Sequence, residues 1–307
     1  MFPHYRSLEA IQIENSWLTI GVFDGVHRGH QEIIQLLVAG ARQAGAPAVV
    51  LSFHPHPAEV LGRREIRCLT TPDERAELLV ALGVDVVITE PFTRALAETR
   101  AADFMKYLKE RLGLRHLLVG YDFALGHNRE GDYYRLSALG KELDYEVRAL
   151  PAVSGQKGII SSSFIRQRLM AGQVGEAAEA LGRFYAVSGP VVHGDGRGKK
   201  INIPTANIAF PERKVVPANG VYACWAWVGD ERHPAVTNIG IRPTFTPDQE
   251  TPNIETHLLD FSQELYDREI KLEFVARLRD EMRFSSVGLL IAQIHEDILE
   301  ARSLLQA

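Results

Sequence analysis

Short apolar runs alternate with helical spacing over the first half of the chain. Trp17 to Phe23, Ala48 to Phe53, Asp85 to Ile88 and His116 to Val119 are rich in Val, Ile and Leu and predict buried strands. Between the first two, Ile33, Leu36, Leu37 and Ala44 recur at helical spacing after His30. Thr71-Pro72-Asp73-Glu74 predicts a helix start, with a capping hydroxyl, a proline in the first turn and acids near the positive end of the dipole. Gly83 is placed to stop that helix, and a further helix is predicted from Ala101 to Leu112, ended by Gly113. Strand-helix-strand alternation at this spacing predicts an α/β domain with a parallel, doubly wound sheet. In such sheets ligands bind beyond the carboxyl ends of the strands. Asp24 to His30, His54 to Pro57 and Gly120 to Gly131 follow the first, second and fourth strands, so the fold is expected to gather them.

Near Arg183 the pattern changes. Tyr185 to Val192, Val221 to Val228, His233 to Ile239, Ile254 to Leu259 and Ile270 to Val275 are closely spaced strand candidates separated by Gly, Pro and Asn turns. They predict an antiparallel barrel or sandwich. One amphipathic helix closes the chain, with Ile291, Ile294, Ile298 and Leu305 as its apolar stripe. Two domains are expected, 1–183 and 184–307.

The 307 residues are 46% hydrophobic and 24% charged, with a net charge of -5. That balance argues against a protein that coats nucleic acid, and the strand candidates of the second half lack interleaved basic and aromatic faces. Cys68 and Cys224 are far apart, so neither a disulfide framework nor a cysteine-based zinc site is expected. With no apolar run of bilayer length and no leader pattern at Met1 to Glu9, the reading is a cytoplasmic protein without membrane or nucleic-acid partners.

Chemistry is concentrated in a few strings. Gly21-Val22-Phe23-Asp24-Gly25-Val26-His27-Arg28-Gly29-His30 puts two histidines, three apart, in the first turn of a helix that follows a strand. Gly29 clears space for phosphate, and the helix start adds unpaired N–H groups and a positive dipole. This arrangement suits the oxygens of a nucleotide α-phosphate during displacement. Within that string the chain resembles the nucleotidyltransferase superfamily, and in it the bacterial bifunctional riboflavin kinase/FAD synthetases, over nearly its whole length. The resemblance implies a Rossmann-like nucleotidyltransferase domain followed by a riboflavin kinase barrel.

Further strings match that family in order. Phe53-His54-Pro55-His56-Pro57 is expected near flavin and adenylate phosphates, and Asp122 in Gly120 to Gly126 near the adenosine or flavin. Ser161-Ser162-Ser163-Phe164-Ile165-Arg166 is expected to cap a helix and bring Arg166 to ATP phosphates. The implied reaction is attack of the FMN phosphate on the α-phosphorus of ATP, giving FAD, with His27, His30 and Arg166 stabilising charge and Gly21, Phe23, Asp24, Gly25 and Gly29 binding ATP or flavin. A zinc reading of the two histidine pairs is disfavoured, because no acidic or sulfur ligand accompanies them.

For the second domain the resemblance marks Pro204-Thr205-Ala206-Asn207 as the riboflavin kinase signature. Thr205 and Asn207 offer neutral oxygens on one face of an extended stretch, which suits Mg2+. The loop Gly194-Asp195-Gly196-Arg197-Gly198-Lys199-Lys200 is expected over the nucleotide phosphates, through Gly194, Arg197, Gly198, Lys199 and Lys200. Asn219 to Tyr222 and Asn238 to Phe245 also match, and Glu255, in Ile254 to Phe261, is implied as the base for the ribityl 5'-hydroxyl. Asn202 stands where many relatives have glycine, which bears on backbone geometry and nucleotide fit. Substrates and products implied are ATP, riboflavin, FMN and FAD, with Mg2+ as cofactor. An adenylyltransferase with a crippled kinase module and a flavin sensor without turnover are the rival readings.

Overall fold

A computed structural model describes residues 4–62, 65–151, 154–155, 158–194, 198, 201, 203–241 and 252–306. They divide between Ser162 and Ser163 into two compact units. Arg197, Lys199, Lys200, Asn202 and the stretch 242–251, which the sequence singled out in part, lie outside the described residues.

The first unit carries strands β1 (His4–Tyr5), β2 (Ser16–Ile20), β3 (Ala48–His54), β4 (Val86–Pro91), β5 (Leu114–Gly120) and β6 (Glu146–Leu150). They form one sheet in the order β1-β4-β3-β2-β5-β6, and every pairing in it is parallel. Its main helices are α1 (Arg28–Gln43), α2 (Pro57–Val60), α3 (Pro72–Ala81), α4 (Arg94–Glu98), α5 (Ala101–Leu112) and α6 (Tyr133–Leu143). A small hairpin, β7 (Ser154–Gly155) with β8 (Gly158–Ile159), follows.

Alternation along the strands builds two cores. Val49 and Leu51 join Phe104, Met105 and Leu108 of α5, whereas Ala48 and Val50 join Ile34 and Leu37 of α1 and Leu79 of α3. The sheet is therefore covered on both faces, as the continuous apolar runs require. The predicted start of α3 is a full capping box: Glu74 N donates to Thr71 Oγ1, and Thr71 N donates to Glu74 Oε2. Gly113 ends α5 at φ 54, and a Cβ there would meet the Glu14 carbonyl at 2.0 Å.

In the second unit, α7 (Ser162–Met170, whose first residue closes the first unit) and α8 (Val174–Leu181) precede the strands β9 (Tyr185–Val192), β10 (Ala206–Ile208), β11 (Gly220–Val228), β12 (Glu231–Ile241), β13 (Pro252–Leu258) and β14 (Glu269–Arg279). Of the two all-β architectures the sequence allowed, the structure is a closed barrel, ordered β10-β13-β12-β11-β14-β9. The three-residue strand β10 closes it by pairing with both β9 and β13. The predicted divide at Arg183 falls after α7 and α8, and α8 packs on β9 and β14.

The terminal helix α9 (Val287–Leu305) packs on β11, β12 and β14. Ile298 and Leu305 of the expected stripe meet the barrel, but one of the helix's most buried side chains is Asp297, only 3% exposed. Its two oxygens accept from Arg279 Nε and Nη2, each at 2.8 Å. Among the described residues no helix is long and apolar enough to cross a membrane. Removing one partner of a buried ion pair leaves the other uncompensated, so Asp297→Ala is expected to cost about 3 kcal/mol. Urea unfolding checks this, and an unchanged midpoint would contradict it.

Candidate active sites

The first cluster lies where the sheet topology puts it. From β2 the chain runs outward through β3 and β4, then crosses to β5 and β6 on the other side. The switch point is between β2 and β5, and β3 neighbours β2. The three polar loops therefore leave the same ends of three adjacent strands, Asp24 to His30 after β2, His54 to Pro57 after β3 and Gly120 to Gly131 after β5.

The loop after β2 has an unusual backbone. Phe23, Gly25 and Val26 all have positive φ, at 52, 82 and 41 degrees. Phe23 and Val26 are buried non-glycine residues, for which that region costs on the order of 1–3 kcal/mol each. Buried contacts hold it. Both carboxylate oxygens of Asp24 accept from Leu69 N at 3.0 Å, and Oδ1 also accepts from Thr70 N at 3.0 Å. Thr70 Oγ1 in turn accepts from Gly25 N at 3.0 Å. The side chain of Asp24 thus faces into the protein, onto residues 69–70.

His27 caps α1: its Nδ1 accepts from His30 N at 3.4 Å. That acceptor role puts the proton of a neutral His27 ring on Nε2. The His27 and His30 rings stack with centroids 3.6 Å apart and planes 18 degrees apart, and Phe23 meets His30 edge-on. His30 is half-buried overall, with Nδ1 enclosed and without a hydrogen-bond partner among the described residues. Burial first, then His27 and Arg75, hold its pKa well below 6.5. Gly29 lies between the two histidines in the first turn of α1, and a Cβ on Gly21 would press on the Phe23 ring at 3.0 Å.

The remaining predicted residues fall as follows. His54 ends β3, and a cis bond joins it to Pro55. His56 caps α2 with Nδ1, accepting from Ala58 N at 3.1 Å, and Pro57 is the first residue of that helix. Asp122 is exposed in the turn after β5, where its carbonyl accepts from Arg129. Ser162 opens α7 and donates Oγ to the Asp24 carbonyl at 2.8 Å, which ties the serine string to the loop after β2. Ser161 precedes α7 and Ser163 is its second residue, while Arg166 lies one turn in and half-buried, in the unit that begins at Ser163.

On the barrel the gathering is done by register. Ile254, Thr256 and Leu258 are buried, so Asn253, Glu255 and His257 alternate onto the other face of β13. Glu255 pairs directly across from Asn207 on one side and Asn238 on the other. Directly opposed residues share a face, with Cβ atoms about 5 Å apart. Asn253 Nδ2 donates to Glu255 Oε1 at 2.7 Å, and His257 Nδ1 donates to the Pro204 carbonyl at 2.7 Å, fixing the segment that carries Thr205. Gly194 and Gly198 press on this cluster. A Cβ at Gly194 would sit 2.1 Å from Asn207 Nδ2, and one at Gly198 would sit 3.3 Å from Thr205 Oγ1. A cavity of about 310 Å³ opens beside Thr205, with Val191, Leu258, Phe261 and Tyr266 among its walls.

Sequence reasoning passed over two groups. Ser52, Thr70 and Arg75 lie under the first site, and the signal was an arginine on the apolar face of α3, beside Ala76 and Leu79. The turn Phe261 to Tyr266 borders the cavity, and its signal was an aromatic pair in a polar connection, with Tyr266 against His193 at 4.1 Å between ring centroids.

A parallel α/β unit with polar loops at its switch point, followed by a closed antiparallel barrel with its own polar cluster, defines a two-module protein. The FAD synthetase family model matches residues 10–164, and the riboflavin kinase family model matches residues 181–305. The chain belongs to the family of bifunctional riboflavin kinase/FMN adenylyltransferases. It is 36% identical to the Bacillus subtilis protein of that name over 97% of this chain and 95% of that one. It is 38% identical to the Escherichia coli protein over 94% of this chain and 92% of that one. A crystal structure of a macrolide-efflux protein from Streptococcus pneumoniae is 30% identical, with a TM-score of 0.89 over 97% of this chain and 98% of that one.

The lowered basicity of His30 has a measurable sign. Its neutral form is favoured by folding, so the stability it contributes is complete above 6.5 and is lost as pH falls from there toward its lowered folded value. NMR titration of the imidazoles is expected to leave His30 unprotonated as pH passes down through 6.5. A His30 midpoint at or above that value would contradict the enclosed geometry.

Proposed function

We propose that this chain makes both flavin cofactors, phosphorylating riboflavin to FMN on the barrel and adenylylating FMN to FAD on the α/β unit, with ATP as donor in each step. One observation carries the reading: two chemically distinct polar clusters, an imidazole pair at a helix start and a carboxylate opposite an asparagine on a barrel wall, occur in one chain matched in order by both family models. We assign adenylyl transfer to 1–183 and phosphorylation to 184–307, because the strings through Arg166 precede that divide.

On the α/β unit, a phosphate oxygen of FMN attacks the α-phosphorus of ATP and pyrophosphate leaves. His27 donates through Nε2, the tautomer its capping bond favours. His30 is held neutral, so it acts through a hydrogen bond rather than a fixed charge. The amides at the start of α1 complete the cradle for phosphate oxygens, and the family string that ends in Arg166 is the ground for assigning its guanidinium to ATP phosphates. Gly21, Phe23, Gly25 and Gly29 shape it. Asp24 contributes from beneath, by holding the loop. His54, Pro55, His56, Pro57 and Asp122 border the flavin and adenosine, and Ser161, Ser162 and Ser163 set the start of α7.

On the barrel, Glu255 takes the proton of the ribityl 5'-hydroxyl as that oxygen attacks the γ-phosphorus of ATP and ADP leaves. The neutral oxygens of Thr205 and Asn207, next to the Glu255 carboxylate, fit a hard cation, and Mg2+ held there would supply charge neutralisation for the phosphates. Gly194 and Gly198 make tight approaches to Asn207 and Thr205, and the family string is the ground for assigning Arg197, Lys199 and Lys200 to those phosphates. The cavity beside Thr205, with its aromatic wall, suits the base of the nucleotide. Cys68 and Cys224 form no disulfide, and burial pushes the Cys224 thiol pKa up to about 12, which supports a cytoplasmic setting.

Riboflavin with ATP and Mg2+ is expected to yield FMN and then FAD, resolved by chromatography; absence of FMN would leave only an adenylyltransferase. Glu255→Gln is expected to lower FMN formation by at least about 10²-fold while FMN-to-FAD conversion continues at its original rate. Equal loss of both activities in the folded variant would contradict the division of labour.

A further inference from the structure

We infer that Arg75, a residue no motif assigns, positions the His27–His30 pair for adenylyl transfer by bracing the underside of the loop that carries it. The inference rests on the adenylyltransferase reading and deepens it.

Arg75 lies in the second turn of α3 with its side chain 3% exposed. Its Nη1 donates to Ser52 Oγ at 2.7 Å and to the Phe53 carbonyl at 3.4 Å. Nη2 donates to the Thr70 carbonyl at 3.3 Å and stands 3.9 Å from Asp24 Oδ1. Ser52 in turn donates Oγ to the Val22 carbonyl at 3.0 Å. One guanidinium thus links the end of β3, the 69–70 segment and, at Val22 and Asp24, the start of the loop after β2.

The arrangement is unusual for a structural arginine. Nε is buried and has no hydrogen-bond partner among the described residues, and the nearest carboxylate is already engaged by two backbone amides. Replacing such a group by apolar packing is often neutral or favourable for stability. Its value is therefore geometric. The forked donor fixes three separate acceptors at once, which a point charge cannot do. The loop so braced carries Phe23, Gly25 and Val26 at positive φ, a backbone that persists only where its surroundings hold it. Arg75 also acts on His30 directly, since its charge is among the causes that keep that imidazole neutral and so a hydrogen-bonding group.

The test uses the full chain. Arg75→Lys keeps the cation but loses the fork. Its kcat for FAD formation from FMN is expected to fall on the order of 10²-fold, the cost of a displacement of about 1 Å at a reacting centre. KM for FMN and for ATP should stay within about threefold, since binding is not what is lost. FMN formation from riboflavin should proceed at the original rate. A second variant, Ser52→Ala, leaves both charges in place and removes the hydroxyl that carries the brace from Arg75 to the Val22 carbonyl; it should fold and also be slow in kcat. Wild-type kcat in either folded variant, or a loss confined to KM, would overturn the inference. An unaltered chain that makes no FAD from FMN and ATP would overturn the underlying reading instead.

Discussion

Asp24 is 3% exposed, and the amides of Leu69 and Thr70 hold its carboxylate beneath the turn from which His27 and His30 project. Around that contact the chain assembles parts far apart in sequence. Thr70 reaches Gly25, Arg75 reaches Ser52, and Ser162 reaches the Asp24 carbonyl across 138 residues. Each bond is modest in water, near 1 kcal/mol net, but buried donors and acceptors cost more when left unpaired. The network is thus all-or-none, and it stabilises a left-handed backbone that isolated residues would leave.

The barrel solves a similar problem differently. Asn207, Asn238 and Glu255 are gathered by strand register, with β13 between β10 and β12. A one-residue slip in β13 would turn Glu255 into the barrel and Thr256 out. The buried Thr237–Thr256 hydroxyl pair at 2.9 Å, on the inner face, guards against that slip. A polar pair inside the barrel thereby fixes which carboxylate stands outside it.

Much of this was legible in the sequence. Apolar runs gave away the central strands, and Thr71-Pro72-Asp73-Glu74 its capping box, because both signals are local. β6, with Glu146, Arg148 and Ala149 exposed, was hidden by its place at the sheet edge, and β10 by its length of three residues. The histidine and asparagine strings were visible as strings. Their partners were not: nothing local to Arg75 says that it sits under Asp24, and nothing near Glu255 says that Asn207 is opposite. Asp24 itself was read as a ligand-binding residue on the strength of its motif, while its carboxylate turns inward to amides that lie 45 residues away. Such contacts are set by topology, which residue spacing alone does not encode.

In the proposed reaction, stacked imidazoles at the start of α1 receive the innermost phosphate of a nucleotide. A crystal structure of the full chain with a non-hydrolysable ATP analogue tests it most directly. An α-phosphate oxygen is expected within hydrogen-bond distance of His27 Nε2 and of an amide in the first turn of α1. A nucleotide bound to the α/β unit with its phosphates away from both histidines would contradict it.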